Sequence, residues 1–340
     1  EYHLEADIDL SNVEQTEALI PQFSGVLDGK NHTVTGLKVP LFGEMNGKVS
    51  NLAIANNQLE INMDTDAGVF ANQMTGAAVE KVLIYNSKIS HTAGKAAGFV
   101  GTINNSTLNN IFVHGEVHAK SIASGFALNA NGSTIENIYT NVQANGTEGA
   151  GFVVSSTGEN TYTNICSVGD VSANMYKLSE DITQITNGYE FAAANGRESS
   201  KENSSVKNVG KEVWTKEFYM NTLGLDAAVW DAEQAESNGY PSLKDFKVQM
   251  KPMRVEIHTP DDVQKMNRVP EGKFVLTADL NFEGKDNSPV TETFTGILNG
   301  DNHAVSGINS AFFQILSGTV ENLQFRNILV ENEKAGANVP

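Results

Sequence analysis

A single cysteine, Cys166, stands in 340 residues, so neither an intramolecular disulfide nor a cysteine-built zinc cluster can form. In "NICSVG" it falls between Ile165 and Val168, where a small buried hydrophobe belongs. No apolar run approaches the roughly 18 residues of a membrane span. The chain opens at Glu1 in strand-like sequence without a charged n-region or cleavage site, so any signal or anchor is expected outside this sequence. Cations are scarce as well: 23 Lys and Arg against 41 Asp and Glu give a net charge of −18, with no basic cluster to displace counterions from nucleic acid. Prolines number only eight and aromatics 8%, against thirty glycines. Yet 40% of residues are hydrophobic, too many for a disordered acidic chain, so the protein folds.

What is present is repetition. "FSGVLDGKNHTVTGL" at 23 to 37 returns as "FTGILNGDNHAVSGI" at 294 to 308, offset by 271 positions. "LFGEMNGKVSNLAI" at 41 to 54 answers to "FFQILSGTVENLQF" at 312 to 325, and "LEADIDL" at 4 to 10 to "LTADLNF" at 276 to 282. A module is duplicated. The second copy ends soon after its first coil, and the chain is read as a piece of something longer.

A shorter period lies inside the first copy. "DAGVFA", "AAGFVG", "ASGFAL" and "GAGFVV" carry Gly68, Gly98, Gly125 and Gly151 at spacings of 30, 27 and 26. Interleaved with them, "VSNLAI", "VEKVLI", "LNNIFV", "IENIYT" and "YTNICS" carry Asn51, Lys81, Asn110, Asn137 and Asn164 at 30, 29, 27 and 27. Short runs of Val, Ile, Leu, Phe and Tyr broken by Gly, Asn and Ser, without a 3.6-residue stripe, are strands with turns. A unit this short cannot bury its own apolar face and must stack on its neighbours.

The expected fold is therefore all-β: a right-handed parallel β-helix over 1–205, a small mixed capping segment over 206–246 covering the last open core, and over 247–340 a linker and the truncated start of a second β-helical module. The repeated glycines answer to corners or close approaches that a Cβ forbids. Phe70, Phe99, Phe126 and Phe152 stack inside. The recurring Asn takes a left-handed bend and forms a column of amides hydrogen-bonded from coil to coil. Lys81 breaks that column and is expected at its rim or bulging outward. The rhythm fails from about 172 to 250: 172 to 205 reads as an irregular insertion, and "ESSKENSSVKNVGKE" as an exposed polar loop leading into the capping segment.

Together "F-x-G-x-L-x-G-x-N-H-x-V-x-G-L", "LFG-x-x-x-G-x-V-x-N-L", "AAGFVG", the closing "LGLDAAVWD…NGYPSL" and "EIHTPDDVQKMNRVPEGKFVLTADLNF" resemble bacterial surface repeats of the glycine-rich GLUG kind. The combination looks most like the non-catalytic N-terminal and middle regions of Gram-positive zinc metalloproteases that cleave immunoglobulin A1. That resemblance implies a secreted or cell-wall-attached extracellular protein. It implies immunoglobulin A1 and the other domains of the same protease as partners, and zinc only in the parent enzyme's catalytic domain. Related repeats also occur in adhesins, which leaves a rigid stalk or adhesin module as the alternative.

The chemistry of metalloproteases needs HExxH, two histidines one helical turn apart with a glutamate as general base, and no HExxH occurs here. The nearest pattern is "VHGEVHAK", where His114, Glu116 and His118 alternate on a strand as weak candidates for a surface metal site; the solvated face of a strand is the competing reading. His32 and His303 share the duplicated "NH", with turn architecture as the better account. No G-x-S-x-G elbow is present, "DTDAG" lacks the distal glutamate of a calcium loop, and no carboxylate column suggests a polysaccharide-cleaving groove. Catalytic, cofactor-binding and metal residues are accordingly expected to be none in this chain.

Overall fold

The computed structural model describes residues 1–180, 184–199, 205–285 and 290–328, so the final part of the second module and parts of the expected insertion lie outside the described residues. The chain is an all-β parallel solenoid of about 11 turns. It divides into two compact units, Glu1–Pro252 and Met253–Pro340. Among the described residues no helix is long and apolar enough to cross a membrane.

In the first unit the coils build three parallel sheets, and the middle coils contribute to all three. The longest is built on Lys48–Ile61, Ala78–His91, Thr107–Ala119, Thr134–Asn145, Thr161–Ser167, Ile185–Phe191 and Val206–Val209 in that spatial order. A six-stranded sheet stacks Ile20–Phe23, Phe42–Met45, Ala71–Thr75, Val100–Asn104, Ala127–Asn131 and Val153–Thr157. Short strands at Ala67–Gly68, Ala96–Ala97, Ile122–Ser124 and Glu148–Ala150 close the section. Alternate residues fill one core, with Val82, Ile84, Ile111, Val113, Ile138 and Ile165 essentially unexposed.

Phe70, Phe99 and Phe126 stack nearly parallel at 4.7 and 5.0 Å, and Phe152 continues the pile at 5.0 Å from Phe126. Ring separations of about 4.5–7 Å add offset-stacking attraction to burial. The glycines beside this pile hold none of the left-handed backbone; they are there for close approach. A Cβ on Gly125 would collide with the carbonyl oxygen of Gly151 in the next coil, and one on Gly98 with that of Gly125. Gly68 is displaced by one residue, pairing with Ala97 rather than Gly98, because "AGVF" is one residue longer than "AGF".

The long strands bend where their asparagines sit. Asn51, Asn110, Asn137 and Asn164 have φ of 52°, 56°, 56° and 56°. Asn164 donates through Nδ2 to Asn137 Oδ1 at 2.8 Å, while Asn137 donates to Asn109 Oδ1 at 2.8 Å and Asn110 to Glu80 Oε1 at 2.7 Å. Lys81 does not bulge from the column: it keeps the same corner at φ 54° and sends its ammonium 2.9 Å to Asp245 and 5.6 Å from the Phe246 ring centre. We expect Asn164→Ala to cost about 3 kcal/mol, from a left-handed alanine and the loss of both side-chain hydrogen bonds, to Asn137 and from Asn187. Asn164→Gly, which keeps the bend, should cost about half as much in urea unfolding.

The second unit repeats the plan. Val255–Ile257, Lys273–Leu276, Ile297–Asn299 and Thr319–Glu321 form one parallel sheet, and Val290–Phe294 pairs with Phe313–Leu316 in another. Asn322, at φ 53°, donates to Asn299 Oδ1 as Asn51 donates to Asp28 Oδ1.

Candidate functional site

Two stretches expected to be irregular have definite places in the first unit. The region after 171 loses its sequence rhythm but not its stack. Ile185–Phe191 pairs in parallel with Thr161–Ser167 and then with Val206–Val209, and Tyr176 bridges both Ala150 and Arg197. Asn187 takes the next left-handed corner, φ 63°, and donates to Asn164 Oδ1 at 3.0 Å. The part of the expected insertion that the structure describes is thus further coil. Its signal was present in "ITNGYE", only 23 residues after Asn164 instead of 27.

The segment after Val209 was expected to cover the open end of the stack. It instead runs back along the flank of the long sheet as a strap. Outward positions of that sheet form the row Leu83, Phe112, Tyr139, Cys166 and Tyr189, apolar on a face that water would otherwise reach. Phe218 meets Tyr189 at 5.0 Å, Tyr219 meets Tyr139 at 6.0 Å and Tyr240 meets Phe112 at 5.8 Å, each edge to face. The Trp230 indole N–H donates to Asn110 Oδ1 at 2.7 Å, and the Lys251 N–H to the Tyr85 hydroxyl at 2.8 Å. The corner side chains therefore anchor the strap as well as one another. Cys166 lies fully beneath it, and burial pushes its thiol up, keeping it protonated and unreactive.

His114, Glu116 and His118 do not converge. The strand changes register between Ile84 and Ser87, so His114 falls at a corner that Asn86 occupies in the preceding coil. There its ring stacks on Tyr85 at 4.8 Å and its Nδ1 accepts the Asn86 N–H at 3.2 Å. Glu116 points elsewhere, 3.0 Å from both Lys88 Nζ and His118 Nε2. Burial pushes the Glu116 carboxyl up, but the hydrogen bonds from His118 and Lys88 outweigh it and hold the group below its ordinary value. Among the described residues no three His, Cys, Asp or Glu side chains gather as a metal site.

Burial drags His114 down to about 4, against a weaker opposing pull from Glu116. The unfolded chain takes up this proton near pH 6.5 whereas the folded one resists it, so stability falls as pH falls through that interval. The full shift would be worth about 3 kcal/mol; partial exposure reduces this to about 2 kcal/mol. Thermal unfolding between about pH 7 and pH 4 should show the natural chain losing that much more stability than His114→Gln.

The duplicated histidines have partners that spacing did not reveal. His32 Nδ1 lies 3.0 Å from Asp7 Oδ1, which also accepts the Thr33 N–H at 2.9 Å. His303 and Ala304 repeat this on Asp279 at 3.2 and 2.9 Å. The duplicated "L-x-A-D" therefore ties the duplicated "N-H" to the preceding coil. The backbone N–H first, and the histidine second, hold both carboxyls below the usual aspartate range. These histidines are structural ties between neighbouring coils.

A second column was also missed: Asn56 and Asn86, 30 residues apart, take left-handed corners at φ 56° and 50°, and Asn86 Nδ2 donates a hydrogen bond to Asn56 Oδ1 at 2.8 Å. "ANN" and "YNS" carried it in the sequence.

No family model matches the chain, and no curated protein sequence matches it. Among solved structures it is similar to one described as a "putative immunoglobulin A1 protease" from Bacteroides ovatus, with 17% identity and a TM-score of 0.53, over 72% of this chain and 85% of that one. The likeness is one of fold.

Proposed function

We propose that the first unit is a non-catalytic docking surface that positions immunoglobulin A1 for cleavage elsewhere in a secreted protease, acting with that protease's other domains. The observation that carries this reading is the strapped solenoid. Every coil hydrogen-bonds to the next, and the flank is locked by the aromatic seam and the Trp230–Asn110 bond. A body so braced can hold a large partner at a fixed distance from a remote zinc site, saving orientational freedom at the chemical step. The fold shared with the Bacteroides ovatus protein supports the choice of partner. The same stiffness, on coils that repeat one plan, supports a second reading as a stalk or adhesin module.

Surface plasmon resonance of the chain against whole immunoglobulin A1, its Fab and its Fc tests the reading. The surface substitutions that probe it are Lys88→Ala with Glu116→Ala on one coil edge, and Arg197→Ala, whose guanidinium lies 5.5 Å from the Tyr176 ring centre, on another. Docking predicts micromolar binding, weakened about tenfold by one of these sets, a loss of about 1.4 kcal/mol. Absence of binding to all three proteins leaves the stalk.

A further inference from the structure

The duplication lets one coil be compared with and without a cover. Tyr2 pairs with Leu27 and Ile8 with Val34, as Phe274 pairs with Leu298 and Leu280 with Val305. Leu10 donates its N–H to the Thr35 carbonyl as Phe282 does to that of Ser306. The two coils match residue by residue, yet their exposure differs. Phe274 and Leu280 are 1% and 0% exposed, whereas Tyr2 and Ile8 are 62% and 37%. Tyr2 lies 6.2 Å from Phe23 and Phe274 lies 6.0 Å from Phe294, so the same tilted aromatic pair is sealed in the second unit and open in the first.

The cover in the second unit is a strand followed by a short helical plug. Val255–Ile257 pairs in parallel with Lys273–Leu276, setting Val255 beside Phe274 and Ile257 beside Leu276. Asp262 accepts the Thr259 N–H at 2.8 Å and so fixes the start of the helical turns at Pro260–Gln264 and Lys265–Arg268, with Val263, Met266 and Val269 buried. Lys265 fastens helix to strand by donating to the Glu256 carbonyl at 2.9 Å, and Asn267 Oδ1 accepts the Glu292 N–H at 3.3 Å, which ties the helix to the neighbouring sheet. Among the described residues no strand lies outside Tyr2–His3, which ends its sheet. An unpaired edge beside an exposed Tyr and Ile is a template for a further strand.

We propose that the open edge at Tyr2–His3 is a docking face for an extended, basic peptide segment. The segment pairs in parallel, sets two apolar residues beside Tyr2 and Leu4, and continues into a short helix that plugs the coil, as 253–272 does for the second unit. Charge gives the sign of the partner. Between Glu1 and Gly29 seven carboxylates stand without one Lys or Arg, whereas the matching stretch of the second unit carries Lys273 and Lys285. Cationic side chains on the docked segment complement that surface. The face stands apart from the immunoglobulin reading and would be covered in the same way on a stalk.

Joining a copy of 253–272 directly ahead of Glu1 in the whole chain tests the proposal, because Glu1 occupies the position of Lys273 and the spacing is kept. The melting temperature of the first unit should rise by about 5 °C. The Glu5 N–H, counterpart of the Thr277 N–H that donates to the Ile257 carbonyl, should exchange about a hundredfold more slowly. With Glu256→Lys and Asp261→Lys in the added copy alone the rise should be larger at low salt, and with Val263→Asp and Met266→Asp there it should vanish. The original coils keep their sequence throughout, so every version folds. Absence of both the rise and the slowing overturns the proposal, as does a rise that the aspartate version shares or a basic version that gains nothing. A dimer of the natural chain in sedimentation that Tyr2→Lys dissolves also overturns it, by giving the edge to a second copy.

Discussion

Gly125→Ala should lower the melting temperature by about 10 °C, corresponding to a loss of about 3 kcal/mol. A single methyl does this because of where the backbone lies. Gly98, Gly125 and Gly151 follow one another up the stack, and the space a Cβ would occupy at Gly125 is already held by the main-chain carbonyl of Gly151. A side chain could rotate away; a carbonyl pinned between hydrogen-bonded coils cannot. The neighbouring Phe99, Phe126 and Phe152 would have to separate from about van der Waals contact to admit the methyl, opening voids that cost more than the methyl gains. Gly76 is the matched control: nothing lies within 4 Å of its would-be Cβ, and only its φ of 64° opposes alanine. Gly76→Ala should therefore cost about 1 kcal/mol, and equal effects at the two positions would refute the close-approach account.

Trp230→Ala should cost about 4 kcal/mol and expose the flank of the long sheet. The indole is 1% exposed, so its removal loses transfer energy and leaves a cavity, and its N–H leaves Asn110 Oδ1 without that donor. Trp230→Phe separates the two contributions: it keeps most of the ring and drops the N–H, for about 1–2 kcal/mol. With the strap loosened, Phe112 and Tyr139 reach water, and ANS fluorescence should rise for Trp230→Ala while far-UV circular dichroism stays that of a β-solenoid. Circular dichroism that collapsed together with the strap would mean that the strap is part of the core and not a brace laid upon it.

The repeat was legible because a solenoid writes its geometry locally. Each left-handed corner needs a residue that tolerates it, each close approach needs a glycine, and both recur at the length of one coil. Asn110, Asn137 and Asn164 could be picked out for that reason, and the phenylalanine pile with them. Gly68 and Gly98 were matched one residue out of step because the phrases align by glycine whereas the coils align by phenylalanine.

What escaped lies where partners are distant or coils change length. Trp230 and Asn110 are 120 residues apart, and nothing in either local sequence names the other. A hint did exist: "VLIY", "IFV", "IYT" and "ICS" are apolar on both parities, as strands covered on two faces must be. Asn187 arrives four residues early, which hid a continuing coil. His114 and Glu116 alternate in sequence as ligands would, but a one-residue register change turns the first toward Tyr85 and leaves the second with Lys88.

Hydrogen exchange on the intact chain tests most directly the claim that one braced stack runs from the first coils through Val209. The amides of Ile185–Phe191 and of Trp230–Asp231 should exchange as slowly as those of Thr107–Ala119, opening only with global unfolding, and in Trp230→Ala the amides of the long sheet should quicken while those of the six-stranded sheet do not. Exchange of 185–191 and 230–231 at the rate of unstructured loops in the natural chain would contradict the account.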